Sequence, residues 1–374
     1  MSEFESIRPY NDDEVNEAIE QYARHPMFKA MLQFTFPEKN EEEIAAILAD
    51  CHSIFDFQTK VIYYSVQKII EKSTDGFSTS GIDELSPDKP YMYLSSHRDI
   101  ILDTSLINVA LYQHDQIMTA SAIGDNLVQK SFLMALSRLN RNFLVQRSLS
   151  PREMLKSSHL LSAYMKKLLE DKQSIWMAQR QGRTKDGNDK TQQGVLKMLA
   201  MARGKEDVMT YLKKLDIVPV AISYEFDPTD MLKVPELVAK SEDVEYVKSN
   251  NEDFNSILRG VLGNKKRIHI AVSPLDSQVF DDIAKKNISD NDKLQELAQN
   301  IDNCIYKLYK LWPSNYVAYD LYHNTKKYIH AYTEKDKRVF ERRLERRIDQ
   351  DSEIEKDSFL LMYANPVINK ERVS

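Results

Sequence analysis

The chain has 374 residues, 42% hydrophobic and 29% charged, enough to bury at least one full core in an ordinary globular composition. Its formal net charge of -6 argues against bulk attraction to nucleic acid, which needs a basic face that neutralises several phosphates. Two cysteines, Cys51 and Cys304, are too few for a disulfide framework or a thiolate metal cage, and a reducing compartment is expected. The acidic start Met1-Ser2-Glu3-Phe4-Glu5 lacks the pattern of a secretory signal, so the mature chain is expected to begin near Met1. No apolar run approaches the roughly 18 to 20 residues that span a bilayer, so any membrane contact is expected to be peripheral, at the cytoplasmic face.

From about Asp12 to Lys72 apolar positions recur at helical spacing, with Pro26 and Pro37 as punctuation, which predicts several helices ahead of the main domain. Gly76 to Pro90 reads as turn-rich, and Tyr91-Met92-Tyr93-Leu94 as a short buried strand delivering Ser95-Ser96-His97 to its end. A helix is predicted over Ile100 to Leu111, a strand over Gln116 to Ala122, a helix over Leu127 to Leu139 and a strand over Phe143-Leu144-Val145. Pro151 opens a helix to about Glu170, followed by a strand at Ser174-Ile175-Trp176-Met177 and a polar segment from Gln179 to Gln193. Ile217 to Ser223 and Arg267 to Val272 read as strands, with a helical insertion over about 228–264 between them.

Strands alternating with helices predict an α/β centre, a mixed sheet flanked by helices over residues 81–280. Helical extensions occupy residues 1–80 and 281–374. In the last of these, Tyr306, Tyr309 and Trp312 at helical spacing suit either a core or a membrane interface. Arg342-Arg343 and Arg346-Arg347 interleave with Glu341, Glu345, Asp349 and Asp351, as on a solvated, ion-paired helix.

The densest chemistry is Ser96-His97-Arg98-Asp99-Ile100-Ile101-Leu102-Asp103, where an imidazole and a carboxylate could form a base with its orienting partner. The bland alternative is a helix cap with ordinary charge pairing. His97-Arg98-Asp99 also matches the start of a kinase catalytic loop. That reading fails because Thr104 stands where the metal-binding Asn belongs and no Asp-Phe-Gly follows. A metal site from His97, Asp99, Asp103, His114 and Asp115, as in a metal-dependent hydrolase, has suitable ligand types but no recognised spacing.

Four segments in order, over roughly Gly81 to Pro274, resemble the glycerolipid acyltransferase superfamily. Its first block has four residues between His and Asp, whereas five separate His97 from Asp103. Asp103 matches the catalytic carboxylate better than Asp99 because it precedes an apolar helix. The second block is similar to Arg141-Asn142-Phe143-Leu144-Val145-Gln146-Arg147, which gives Arg147 the place near the acceptor phosphate. In the third, Gln181-Gly182-Arg183-Thr184-Lys185 stands where the family has Glu-Gly and two basic residues, with Gln181 replacing Glu. The fourth looks like Ile217-Val218-Pro219-Val220.

The resemblance implies a glycerol-3-phosphate acyltransferase-like fold in which His97 acts as general base, oriented by Asp103. Arg147, Gln181, Gly182, Arg183 and Lys185 would bind a glycerophosphate-type acceptor. Acyl-CoA or acyl-carrier protein would be the donor, and neither metal nor other cofactor is expected. The altered third block also fits a non-catalytic lipid-binding or partner-binding protein on a degenerate acyltransferase scaffold.

Overall fold

A computed structural model describes residues 3–249 and 251–374. Helices α1 (Val15–Tyr22), α2 (Pro26–Thr35), α3 (Glu41–Ala49) and α4 (Tyr63–Ser73) precede the sheet. The apolar faces of α1, α2 and α3 meet Phe132 and Leu139 of a later helix in a core of their own, whereas α4 packs on the sheet through Val66 and Ile69. The N-terminal segment is thereby docked onto the central domain.

Seven strands form one sheet in the order β1-β7-β6-β2-β5-β3-β4: β1 (Thr74–Ser80), β2 (Met92–Ser95), β3 (Thr119–Gly124), β4 (Asn142–Val145), β5 (Ser174–Ala178), β6 (Ile217–Tyr224) and β7 (Lys266–Val272). All neighbours are parallel except β6 and β7. Between the strands come α5 (Leu102–Gln113), α6 (Ser131–Leu139), α7 (Pro151–Glu170) and α8 (Gln193–Leu199). Ser150 and Glu153 close a capping box at the start of α7, where Pro151 costs nothing because the first-turn N–H has no helical partner.

Alternation along the central strands sorts side chains to two cores. Leu94, Ile175 and Met177 pack under α7 and α8, whereas Tyr93, Trp176, Val218 and Val220 pack under α4 and α5. Because β6 is buried at all eight positions, its near-continuous apolar run is what a strand covered on both faces requires.

The insertion between β6 and β7 forms α9 (Asp230–Ser241) and α10 (Glu252–Leu262). The C-terminal region continues through α11 (Asp290–Leu308), α12 (Pro313–Tyr322), α13 (Glu334–Glu345) and α14 (Glu353–Glu371). A fourth core joins α9 to α12, α13 and α14 through Val234, Val317, Phe340, Phe359 and Tyr363.

Two sequence readings are changed, and one left open is decided. The stretch read as turn-rich from Gly76 begins inside β1, an edge strand with exposed alternate positions, made by pairing Thr74–Ser80 to Lys266–Ala271 rather than by apolar content. Tyr306, Tyr309 and Trp312 are buried at 4%, 3% and 6% exposure, so they line the core and are closed to a membrane. Arg343 and Arg347 are not a solvated pair, because both contact the fully buried Asp230 on α9.

Candidate active site

Strand β2 ends at Ser95, and the chain turns through Ser96–Ile101 before α5 begins. Within this turn His97 Nδ1 lies 2.9 Å from Asp103 Oδ2. The same oxygen accepts the backbone N–H groups of Arg98 at 2.5 Å and Asp99 at 2.9 Å, and Tyr224 donates its hydroxyl to Oδ1 at 3.0 Å. Asp103 is fully buried, so these donors replace the water it gave up. A carboxylate on Nδ1 holds the proton there and leaves Nε2 as the basic nitrogen. Burial first, then the Asp103 charge, hold the Tyr224 phenol well above its ordinary range, so it remains a donor.

The extra residue between His97 and Asp103 is absorbed by the turn wrapping around the carboxylate. Asp99 does something else: its Oδ1 accepts from Ile101 N at 3.0 Å and Leu102 N at 2.9 Å, capping α5. Burial and the neighbouring Asp103 raise the Asp99 carboxyl above the usual range, opposed by those two N–H groups. Its Oδ2 abuts Gly260 on α10 so closely that a Cβ there would collide with it. Gly260→Ala is therefore expected to push the Asp99 turn away from His97 and lower turnover at least tenfold, in line with the sensitivity of catalytic geometry to small displacements. Unchanged kinetics in a folded Gly260→Ala protein would show that the turn adapts.

His97 lines a cleft of about 800 Å³ beyond the C-terminal ends of β2, β3, β4 and β5, where ligands bind in open α/β sheets. The edge of the imidazole meets the Trp176 ring at 5.4 Å between centroids. Arg147, Gln181, Gly182, Arg183 and Lys185 line the same cleft. The structure thus brings every candidate site residue but the buried Asp103 to one cavity, and sets Asp103 behind His97.

The cationic groups differ in their pairing. Arg147 lies two residues past β4, its backbone N–H donates to Asp125 Oδ1 at 3.1 Å, and its side chain has no ion-pair partner among the described residues. Arg183 is 9% exposed, donates to Ser256 Oγ at 3.4 Å, and leaves Nη1 without a partner. Lys185, by contrast, is neutralised by Glu236 of α9. Gln181 and Gly182 are exposed at the rim, with Gly182 in the left-handed region at φ 72°.

Residues that sequence reasoning passed over complete the site. Arg98 turns away from the cleft and donates to Asp189 Oδ2 at 2.6 Å, while Thr184 and Tyr309 donate to the same carboxylate. The segment carrying Gln181–Lys185 is thereby tied to the His97 turn and to the C-terminal region. Lys233, buried in α9, holds Arg98 O and pairs with Asp227. Arg180 lines the cleft two residues past β5, as His97 stands two past β2, and its buried Nε has no acceptor. That matched offset was the signal for it. The metal cluster imagined from His114 and Asp115 does not assemble: His114 bonds Asp83 and Thr79, and no group of three His, Cys, Asp or Glu side chains among the described residues could hold a metal ion.

A family model described as Acyltransferase matches residues 77–223. No curated protein matches the chain. Among solved structures, the 1-acyl-sn-glycerophosphate acyltransferase PlsC from Thermotoga maritima is similar at 11% identity and a TM-score of 0.37, over 79% of this chain and 97% of that one. His97, Asp103, Arg147 and Arg183 all fall inside the stretch, residues 77–223, that matches the acyltransferase family model.

Proposed function

We propose that this protein transfers a fatty acyl group from a thioester, acyl-CoA or acyl-carrier protein, to a hydroxyl of 1-acylglycerol-3-phosphate or glycerol-3-phosphate in phospholipid synthesis. The observation that carries this reading is the pairing of His97 with the buried Asp103 at a cleft that also presents three guanidinium groups without carboxylate partners, Arg147, Arg180 and Arg183. A base beside unpaired cations suits an acceptor with both a hydroxyl and a phosphate. The wall formed by Ile123, Leu127, Val145, Leu161 and Met198 suits an acyl chain.

In the reaction, the acceptor hydroxyl gives its proton to His97 Nε2 while its oxygen attacks the thioester carbonyl. Asp103 stabilises the imidazolium, and collapse of the tetrahedral intermediate expels a thiolate, which takes the proton back from His97. Arg147 and Arg183 hold the phosphate. Gln181 and Gly182 stand at the mouth, and Lys185 acts through its pair with Glu236. Among the described residues no helix is long and apolar enough to cross a membrane, so a peripheral seat at the inner face of the membrane belongs to this reading.

The test is acyl transfer by the purified protein with acyl-CoA and acyl-carrier protein against both acceptors, followed by Arg147→Ala. Removing a charge-assisted contact worth about 1.5–3 kcal/mol should raise the acceptor KM by about ten- to a hundredfold and change kcat far less. Acyl-lipid binding without turnover for any pair would instead support the non-catalytic scaffold. Flotation with anionic liposomes checks the membrane seat, which fails if the protein stays in the soluble fraction.

A further inference from the structure

We infer that Arg180 is a catalytic residue that donates hydrogen bonds to the oxyanion formed when the acceptor hydroxyl adds to the thioester carbonyl. The inference rests on the acyl-transfer reading above. Strands β2 and β5 are parallel neighbours with Ser95 opposite Ala178, and Gln179 N donates to Ser95 O at 2.9 Å; beyond that the register opens, His97 O accepting from Thr184 N at 2.7 Å and Gln181 N donating to Gln192 Oε1 at 2.8 Å. Arg180 stands in this opening, between Gln179 and Thr184, and lines the same cleft as His97. Each follows its strand by two residues, and Trp176 of β5 lines the cleft with them.

Arg180 is also chemically free. No carboxylate lies within ion-pair distance of it among the described residues, and its Nε is buried without an acceptor. Arg98 and Arg343, in contrast, are spent on Asp189 and Asp230. A buried N–H without a partner in the free protein persists where a ligand supplies the acceptor.

Strand order separates this role from phosphate binding. Arg180 follows β5, one strand from the His97 strand, or roughly 5 Å, whereas Arg147 follows β4, three strands away. In the addition step the new C–O bond forms from the hydroxyl oxygen beside His97. The carbonyl π pair moves onto an oxygen only two bonds from that hydroxyl oxygen. The acceptor phosphorus lies several bonds off. The oxyanion therefore falls to Arg180 and the phosphate to Arg147; Arg183, on the same segment as Arg180, is set apart by its burial against Ser256 of α10. When the intermediate collapses, the pair re-forms the carbonyl, the C–S bond breaks, and Arg180 loses its charged acceptor.

The experiment compares wild type, Arg180→Met and Arg180→Lys with acyl-CoA and either 1-acylglycerol-3-phosphate or its phosphate-free counterpart 1-acylglycerol. Thermal melts establish that each variant is folded. Arg180→Met is expected to lower kcat by about a hundred- to a thousandfold. Acceptor KM should stay within about threefold, the fold loss should be the same for both acceptors, and Arg180→Lys should recover part of kcat. A raised KM with kcat retained, or a loss that vanishes with 1-acylglycerol, would make Arg180 a phosphate ligand and overturn the inference. Wild type inactive with every acceptor would defeat the acyl-transfer reading itself, which is a distinguishable result.

Discussion

His97→Ala is expected to lower acyl transfer by about two to four orders of magnitude, the range that a positioned general base supplies. The substitution removes the only imidazole that lines the cleft among the described residues and leaves Asp103 with its other donors, Arg98 N, Asp99 N and the Tyr224 hydroxyl. The carboxylate is therefore not stranded, and the fold is expected to survive. Loss of kcat with a melting temperature near wild type gives the measurement its meaning. Activity within about threefold of wild type would remove His97 from the mechanism. Imidazole in the buffer offers a further check, since it can enter a cleft of about 800 Å³ and restore part of the rate.

Asp230→Ala is expected to cost about 3–5 kcal/mol of folding stability, as breaking a buried ion pair does when one partner is removed. Asp230 is fully buried and accepts Arg343 Nε at 2.7 Å, Arg347 Nη1 at 2.9 Å and the Tyr363 hydroxyl at 2.7 Å. Its loss strands the Arg343 guanidinium, whose side chain is only 9% exposed. Arg347, at 22%, can be hydrated and adds less. Urea unfolding of both proteins gives the difference from the midpoint shift. A shift below about 1 kcal/mol would mean that α13 repacks around the arginines without the carboxylate. Because α9 also carries Glu236 and Lys233, which hold Lys185 and the Arg98 carbonyl, loosening it should lower turnover as well.

What could be read in the chain divides by the range of the interaction. The strands at Tyr91–Leu94, Ser174–Met177 and Ile217–Ser223 were legible because strands buried on both faces are apolar at consecutive positions. The helix from Pro151 to Glu170 was legible from its cap. Strand β1 was not, since Thr74–Ser80 carries little apolar content and becomes a strand only because β7 presents an edge. Arg180 was missed for a related reason: only the pairing of β2 with β5 brings it to the cleft of His97, 83 residues away in the chain.

By itself the sequence determined the alternation of strands and helices. It also marked a strand end where a histidine stands ahead of two carboxylates, and it spread arginines over two later segments. It favoured Asp103 over Asp99 only through the resemblance, with five residues instead of four between His97 and Asp103. The tertiary structure decided that Asp103 turns inward to His97 and Tyr224, while Asp99 caps the helix against Gly260. It likewise decided which cations are free, pairing Lys185 with Glu236 and Arg343 with Asp230 while leaving Arg147, Arg180 and Arg183 without carboxylates. The reason is physical: apolar periodicity is a local property of the chain, whereas charge compensation depends on groups that only folding brings within about 4 Å of each other.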